Sequence, residues 1–520
     1  MSLFSATTAW LQRNRTSARM AFVWRMIAMA LGSVFSLLWA RLLVHAMGNP
    51  LMGLFQMFQN VTRLGGLGDF GVTAALGLTV GAMLGRGDEA GLKRMLASAR
   101  TLFLFLAGAL CLLLIALSPW LATWLNFSSV PGAGSMTCLF VYGGLSLAMM
   151  IISGYFASLN YAHGTVTWPI FPTVLFAQGL APFIHWRLAL LHLPLWMQLL
   201  PYLGSMIIMT FLGWSMLKWS HPSLGNLTPL KLDWAEWKTL SRTSWWAYLV
   251  SLGSMIYFST DLLVIGGEFG TGAVPTYRFN YRICELFISL IVTASFVGLP
   301  KLTQWIASAQ EKDRRRLLTE MDRLSKFEIV ITCVATLGYL AFNNLFISIW
   351  LGNSYHAPLA WQFAFAFNLA VTCGGNTGIQ MSMRTGDNGL KWAGLVVAGT
   401  GLLNLGLSIL SVKLGSIGGV AFATVIAQSF SSILLGVVTC RYLGLPVGRW
   451  IARCWLLPAV FTVLAAALKQ LFADDSLLHL GVLSLCYVVL FLAVCAVAGM
   501  NREFFWFELN QVRAMFRGKK

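Results

Sequence analysis

Charge is scarce in this chain: only 10% of its 520 residues are Asp, Glu, Lys or Arg, while 58% are hydrophobic. Ordinary globular domains carry roughly 25% charged residues, so too little polar surface is present to cover a water-soluble fold. Acidic side chains are scarcest, 18 against 36 Lys and Arg. No GxxxxGK[ST] loop occurs, which excludes ATP as the direct energy source. The nine cysteines form no CxxC pair and all fall in apolar segments, so small buried residues are expected and not disulfides or a metal site. The first 19 residues are polar and basic and the apolar stretch from Met20 is too long for a signal peptide, so no cleavable leader is expected.

What the chain does have is fourteen apolar segments, at about 21–47, 51–84, 101–125, 136–159, 165–190, 194–217, 243–266, 272–303, 326–351, 358–383, 390–412, 416–440, 449–470 and 477–500. Each can cross the roughly 30 Å hydrocarbon layer, which takes about 20 helical residues. The expected class is an all-α polytopic membrane protein. Of the 36 basic residues, 29 fall in the N-terminus, the C-terminal tail and every second loop; Arg187, Lys413 and Lys469 lie in the opposite loops. Short loops rich in Lys and Arg stay in the cytoplasm, which puts both termini there. The basic balance then reflects topology and contact with anionic lipid, not nucleic acid. No loop could hold a soluble catalytic domain, and an acidic pair, Asp474-Asp475, sits in a six-residue outward loop. Neither an enzyme nor a cofactor is implied.

An internal repeat is visible. Arg41-Leu42-Leu43-Val44 recurs as Asp261-Leu262-Leu263-Val264, each followed by a glycine (Gly48, Gly270) and then an aromatic seven residues on (Phe55, Tyr277). The loop Gly85 to Leu96 is echoed by Gln310 to Leu318, and Asn160 to Gly164 with Trp168 parallels Arg384 to Gly389 with Trp392. An even six spans per repeat makes the two copies point the same way, related by a pseudo-two-fold axis along the membrane normal. The organisation expected is a cytoplasmic N-terminus (1–19), an N-lobe of six spans (20–218), a linker (219–242), a C-lobe of six spans (243–440), two appended spans (441–500) and a basic amphipathic tail (501–520).

The run Gly48 to Phe55 leading to Leu67-Gly68-Asp69-Phe70-Gly71 resembles the second helix of the polysaccharide, or O-antigen, flippases of the MOP superfamily. So does the segment from Tyr257 through Asp261 to Gly266 with Gly270, Val274 and Tyr277. A third match is Thr385-Gly386 followed by Asn404 and the run Gly415 to Ala421. The resemblance covers roughly residues 20–440. It implies a V-shaped pair of bundles in a bacterial inner membrane, alternating access to move undecaprenyl-pyrophosphate-linked oligosaccharide to the periplasmic leaflet for surface polysaccharide synthesis. The two-lobed repeat suits a self-sufficient monomer, with a polysaccharide polymerase or ligase as a candidate partner. A lipid II-type flippase and an ion-coupled multidrug exporter share that superfamily and remain the alternatives.

Charges inside spans cost about 2.5–3.5 kcal/mol each to insert, which makes them candidate functional groups. Arg41 lies near the outer end of the first span and Arg63 near mid-depth in the second. Arg278, Arg282 and Glu285 in the eighth share one helical face at i, i+4 and i+7. Asp261 sits toward the outer end of the seventh. By the repeat, Asp261 takes the place of Arg41 and Glu285 that of Arg63. In the resembling fold these spans line the central cavity. Guanidinium forks suit a pyrophosphate, since they donate paired hydrogen bonds and stay charged in a low dielectric. The same arginines read equally as members of structural ion pairs, Arg282 with Glu285 and Arg41 with Asp261. Asp261, Glu285 and Asp69 are candidates for ion coupling or simple counter-ions. The glycine-rich stretch 65–71 reads equally as a hinge or as a site of close helix packing. Trp120, Trp124, Trp214, Trp219, Trp350, Trp361 and Trp450 sit at span ends as an interfacial belt. Gln56, Gln59, Asn60, Asn280, Asn368, Asn376 and Gln380, inside spans, could bond either sugar hydroxyls or neighbouring helices.

Overall fold

The computed structural model describes residues 18–65, 71–73, 76, 80, 89–124, 130–162, 173–220, 230–231, 233–296, 311–383, 385–471 and 477–500. Among them every regular element is helical and none is a strand. Long apolar runs in lipid dictate this, because a helix satisfies every backbone donor and acceptor internally. In order the helices are α1 (Ala18–Gly65), α2 (Glu89–Ala116), α3 (Ser118–Trp124), α4 (Met136–Ala162), α5 (Ala181–Leu190), α6 (Leu195–Ser220), α7 (Trp234–Phe269), α8 (Val274–Phe296) and α9 (Glu311–Trp350). They continue as α10 (Leu359–Gly374), α11 (Asn376–Ser382), α12 (Gly386–Lys413), α13 (Ile417–Leu443), α14 (Val447–Ile451), α15 (Leu457–Leu471) and α16 (Leu477–Val497). Wider π-helical turns lead into α5 (Thr173–Leu180) and α15 (Ala452–Leu456). The chain is a multi-pass membrane protein: nine helices among the described residues are long and apolar enough to span a bilayer.

The element order follows the fourteen expected spans. The first two are one run, α1, turned at Gly48 (φ 74°, ψ 165°) with Pro50 just beyond. The tenth is broken into α10 and α11 at Gly375. The link before the ninth span carries helix of its own. Residues 311–325 are the start of the 40-residue α9, about 60 Å long at 1.5 Å per residue.

The repeat is written in the backbone. Gly48 and Gly270 lie 222 residues apart and share one conformation, φ 74°, ψ 165° against φ 80°, ψ 163°. Glycine suits this region because a Cβ would clash there. Helices α2 and α9 begin at Glu89 and Glu311, and α6 and α13 at Leu195 and Ile417, each pair again 222 apart. The turn before α13 uses Gly415 at φ 77°; its counterpart before α6 uses His192 at φ 53°, a left-handed residue with a full side chain.

Two compact units divide the chain, Met1–Pro275 and Thr276–Lys520. In the first, α4 packs on α2 and α6, and α7 runs against α1. Gly53 lets the Thr271 carbonyl of the turn before α8 rest directly on α1, where no larger residue would fit. In the second, α13 packs on α12 and α10, and α9 on α10 and α15. The Arg63 side chain, residues 66–70 of the candidate hinge with Asp69, and the terminal stretches 1–17 and 501–520 lie outside what is described.

Candidate functional site: charges and polar atoms inside the spans

Helix α8 starts from the Gly270 turn with Pro275 in its first turn, where a missing N–H costs nothing. It is tied laterally by Asn280, which is fully buried. The Asn280 amide donates to the Thr276 carbonyl (2.8 Å) and to the Tyr355 carbonyl (2.9 Å). Its oxygen accepts from Asn343 Nδ2 on α9 (2.8 Å). With its backbone so fixed, α8 presents Arg278, Arg282 and Glu285 together. Arg278 Nη2 lies 3.0 Å and Arg282 Nη1 2.6 Å from the same oxygen, Glu285 Oε2. The side chains are 18%, 31% and 25% exposed, so the triad is reachable yet largely desolvated. Two guanidiniums thus share one carboxylate oxygen.

The first unit is arranged differently at the matching positions. Gln56 and Asn60, 222 residues before Arg278 and Arg282, are buried neutral amides on α1. Arg41 is exposed and Asp261 buried. Phe55, matching Tyr277, packs edge-on against the His185 ring at 4.9 Å. His185, fully buried, faces Tyr202 (3.1 Å) and Gln198 (3.2 Å).

A carboxylate that sequence reasoning passed over lies deepest of all. Glu328 on α9 is 1% exposed. Its two oxygens accept from Asn376 Nδ2 (3.0 Å) and from the Thr377 backbone N–H (2.9 Å), at the start of α11. Breaking the tenth span at Gly375 frees first-turn N–H groups that no carbonyl can serve, and Glu328 serves one of them. Above it α9 carries Thr332, Thr336, Tyr339 and Asn343, all at most 2% exposed. Their spacing of four, four, three and four residues from Glu328 keeps them on one stripe. Of the two roles open to Asn376 and Asn280, sugar contact or bonding to neighbouring helices, both side chains make the second here.

The break is also where the thirteenth span docks. The Trp450 indole enters a slot of small residues: a methyl group on Gly378 would lie 2.6 Å from the ring and one on Gly375 3.2 Å, and one on Gly436 of α13 would overlap it. Trp450 therefore fills a helix interface and is not only a member of an interfacial belt. Thr439 donates to the Gly378 carbonyl at 2.7 Å. Next to Trp450, Arg453 pairs with Asp322 of α9, which Lys326 also reaches at 3.0 Å. No group of three or more His, Cys, Asp or Glu side chains that could hold a metal occurs among the described residues.

Solved structures share this architecture. A lipid II flippase, MurJ, in an inward closed conformation superposes with a TM-score of 0.63 at 14% identity, over 91% of this chain and 97% of that one. An inward-facing multidrug resistance MATE family transporter of the MOP superfamily gives 0.61 at 13% identity, over 81% and 98%. A MOP superfamily transporter from Pyrococcus furiosus, whose binding pocket is described as reversed in polarity, gives 0.54 at 16% identity, over 83% and 97%. No family model and no curated protein sequence matches the chain. At these identities the likeness establishes the fold, that of the MOP transporters.

Proposed function

We propose that the chain is a transporter that moves polyprenyl-pyrophosphate-linked oligosaccharide from the cytoplasmic to the periplasmic leaflet by alternating access. The observation that carries this reading is the Arg278–Glu285–Arg282 triad. Burying two guanidiniums in a span is costly, which marks them as functional groups. A pyrophosphate would bind them through charge-assisted hydrogen bonds, while the polyprenyl tail stayed in lipid. Arg41 and Arg63 are also assigned to substrate contact, and Asp261, Glu285 and Asp69 to counter-ions or ion coupling. A multidrug exporter for cationic drugs would be served by an excess of carboxylates instead.

A lipid II-type cargo is the second reading. It is favoured by coverage: the lipid II flippase aligns over 91% of this chain, against 81% for the multidrug transporter. Both cargoes present the same pyrophosphate and differ in the sugar. Both readings assign transport, not catalysis, to the chain.

The deciding experiment is flipping of a fluorescent polyprenyl-pyrophosphate glycan in proteoliposomes, with lipid II run in parallel. The wild type should flip one of them, and Arg278→Gln with Arg282→Gln should lose at least tenfold in rate while remaining folded. Full activity of that double variant would overturn the assignment. Preference between the two cargoes would choose the reading.

A further inference from the structure

Several Thr and Ser hydroxyls in the helices of this chain bond back to the carbonyl four residues earlier. Thr400, Thr424, Thr462 and Ser348 all do so, at 2.8 to 3.1 Å. This is the usual way such a hydroxyl is satisfied inside a helix. Thr332 and Thr336 depart from it. Both are fully buried, and neither Oγ1 has a hydrogen-bond partner among the described protein atoms. Asn343 Oδ1, higher on the same stripe, and Thr377 Oγ1, beside Glu328, are in the same condition.

Three orphaned oxygens thus lie along one stripe of α9, with a fourth beside it on α11. Left dry, such groups are destabilising, and buried polar groups in this state are commonly served by internal water. The spacing fits. Glu328, Thr332 and Thr336 are each roughly 6 Å apart along the helix, a gap that one water closes with two hydrogen bonds of about 2.8 Å. The stripe has definite ends. At the top Asn343 bonds Asn280, which bonds the Tyr355 carbonyl in the turn Asn353–Tyr355. At the bottom is the Glu328 carboxylate.

We propose that the polar stripe of α9 holds a file of internal waters from the 353–355 turn to Glu328, and that Glu328 takes up and releases a proton carried along it. The proton passes from a water to a Glu328 carboxylate oxygen, giving the neutral acid, and returns to water when the site discharges. The Asn376 amide and the Thr377 N–H hold the carboxylate in place for both states. Titratable or charged groups on the packed elements are Cys373 on α10, Cys454 on the π turn, Lys469 on α15, and Cys486, Tyr487 and Cys495 on α16. His356 lies beside the turn, Cys333 and Tyr339 are on α9 itself, and Asp322, Lys326 and Arg453 cluster below. Only the use made of the proton, to drive cargo movement, rests on the transporter reading.

The test needs no cargo. Radiolytic hydroxyl labelling of the purified protein marks side chains that touch water, including internal water. Tyr339 on the stripe and Tyr277 off it are equally buried, at 1% and 2% exposure. Tyr339 should label at least fivefold more than Tyr277, and Thr332→Val with Thr336→Val should abolish the difference. Equal labelling in the wild type would overturn the water file whether or not that variant folds. Infrared difference spectra between neutral and acid pH should show a buried carboxyl C=O band that vanishes in Glu328→Gln and shifts in Glu328→Asp. Absence of the band from the wild type, or its persistence unchanged in either variant, would overturn the proton assignment. Failure of every glycan to flip, with Tyr339 labelled and the band present, would remove the transporter reading and leave this one standing.

Discussion

The Trp450 slot makes a prediction whose sign depends on a second residue. Gly436 lies inside α13, where alanine is the better helix former by about 0.8–1.0 kcal/mol. A methyl there overlaps the Trp450 indole, and overpacking against a rigid ring costs about 1–3 kcal/mol. Gly436→Ala should therefore be neutral to about 2 kcal/mol destabilising in the wild type. Trp450→Ala empties the slot and should itself cost about 3 kcal/mol, the low end for a large aromatic because the ring is only half buried. In that background the helix-propensity gain acts alone, and Gly436→Ala should stabilise by about 1 kcal/mol. The cycle thus gives a coupling of about 1–3 kcal/mol, read from unfolding of the four purified proteins in one detergent. An effect of Gly436→Ala with the same sign and size in both backgrounds would refute the packing argument.

Asn280→Ala should cost about 2–4 kcal/mol, since it strands both Asn343 Nδ2 and the Tyr355 carbonyl in a buried setting; a loss below 1 kcal/mol in the same unfolding assay would contradict this. Glu285→Gln should destabilise by about 1–3 kcal/mol because it leaves two guanidiniums one turn apart without their shared anion, whereas Arg282→Gln should cost under about 1 kcal/mol because Arg278 still holds the carboxylate. The reverse order would place the weight of the triad elsewhere. His192→Gly should stabilise by about 0.5–1 kcal/mol by relieving a side chain held at φ 53°; a drop in midpoint temperature would show that the imidazole makes a compensating contact.

Much of this architecture is legible in the chain itself. Span positions follow from apolar length, and the Gly48 and Gly270 turns from glycine placed between apolar runs and a following proline. The shared face of Arg278, Arg282 and Glu285 follows from the helical period. Glu328 was not legible, for a physical reason. It closes a run of alternating charges from Glu311 to Lys326 that looks like the wet end of a helix, and one more carboxylate there draws no notice. What separates it is the break at Gly375, which brings Asn376 and Thr377 to it from nearly fifty residues away. The glycine pair Gly374-Gly375 was visible, but a pair of glycines in a span reads as close packing until the partner that fills the gap is known. Trp450 shows the same limit: an aromatic at a span end looks interfacial unless the three glycines around it are seen converging from two other helices.

The ninth span and the tenth differ in mechanical kind. The ninth is an unbroken rod of 40 residues reaching beyond the bilayer; the tenth is two short rods with a joint between them. A rod delivers a displacement at one end undiminished to the other, whereas a joint absorbs it. Any swing of the projecting end of α9 must then appear as shear at the joint. The two hydrogen bonds from Asn376 and Thr377 to Glu328 are fastenings across that plane of shear. Charging or discharging one carboxylate there would change how firmly a rigid lever is bolted to a jointed one.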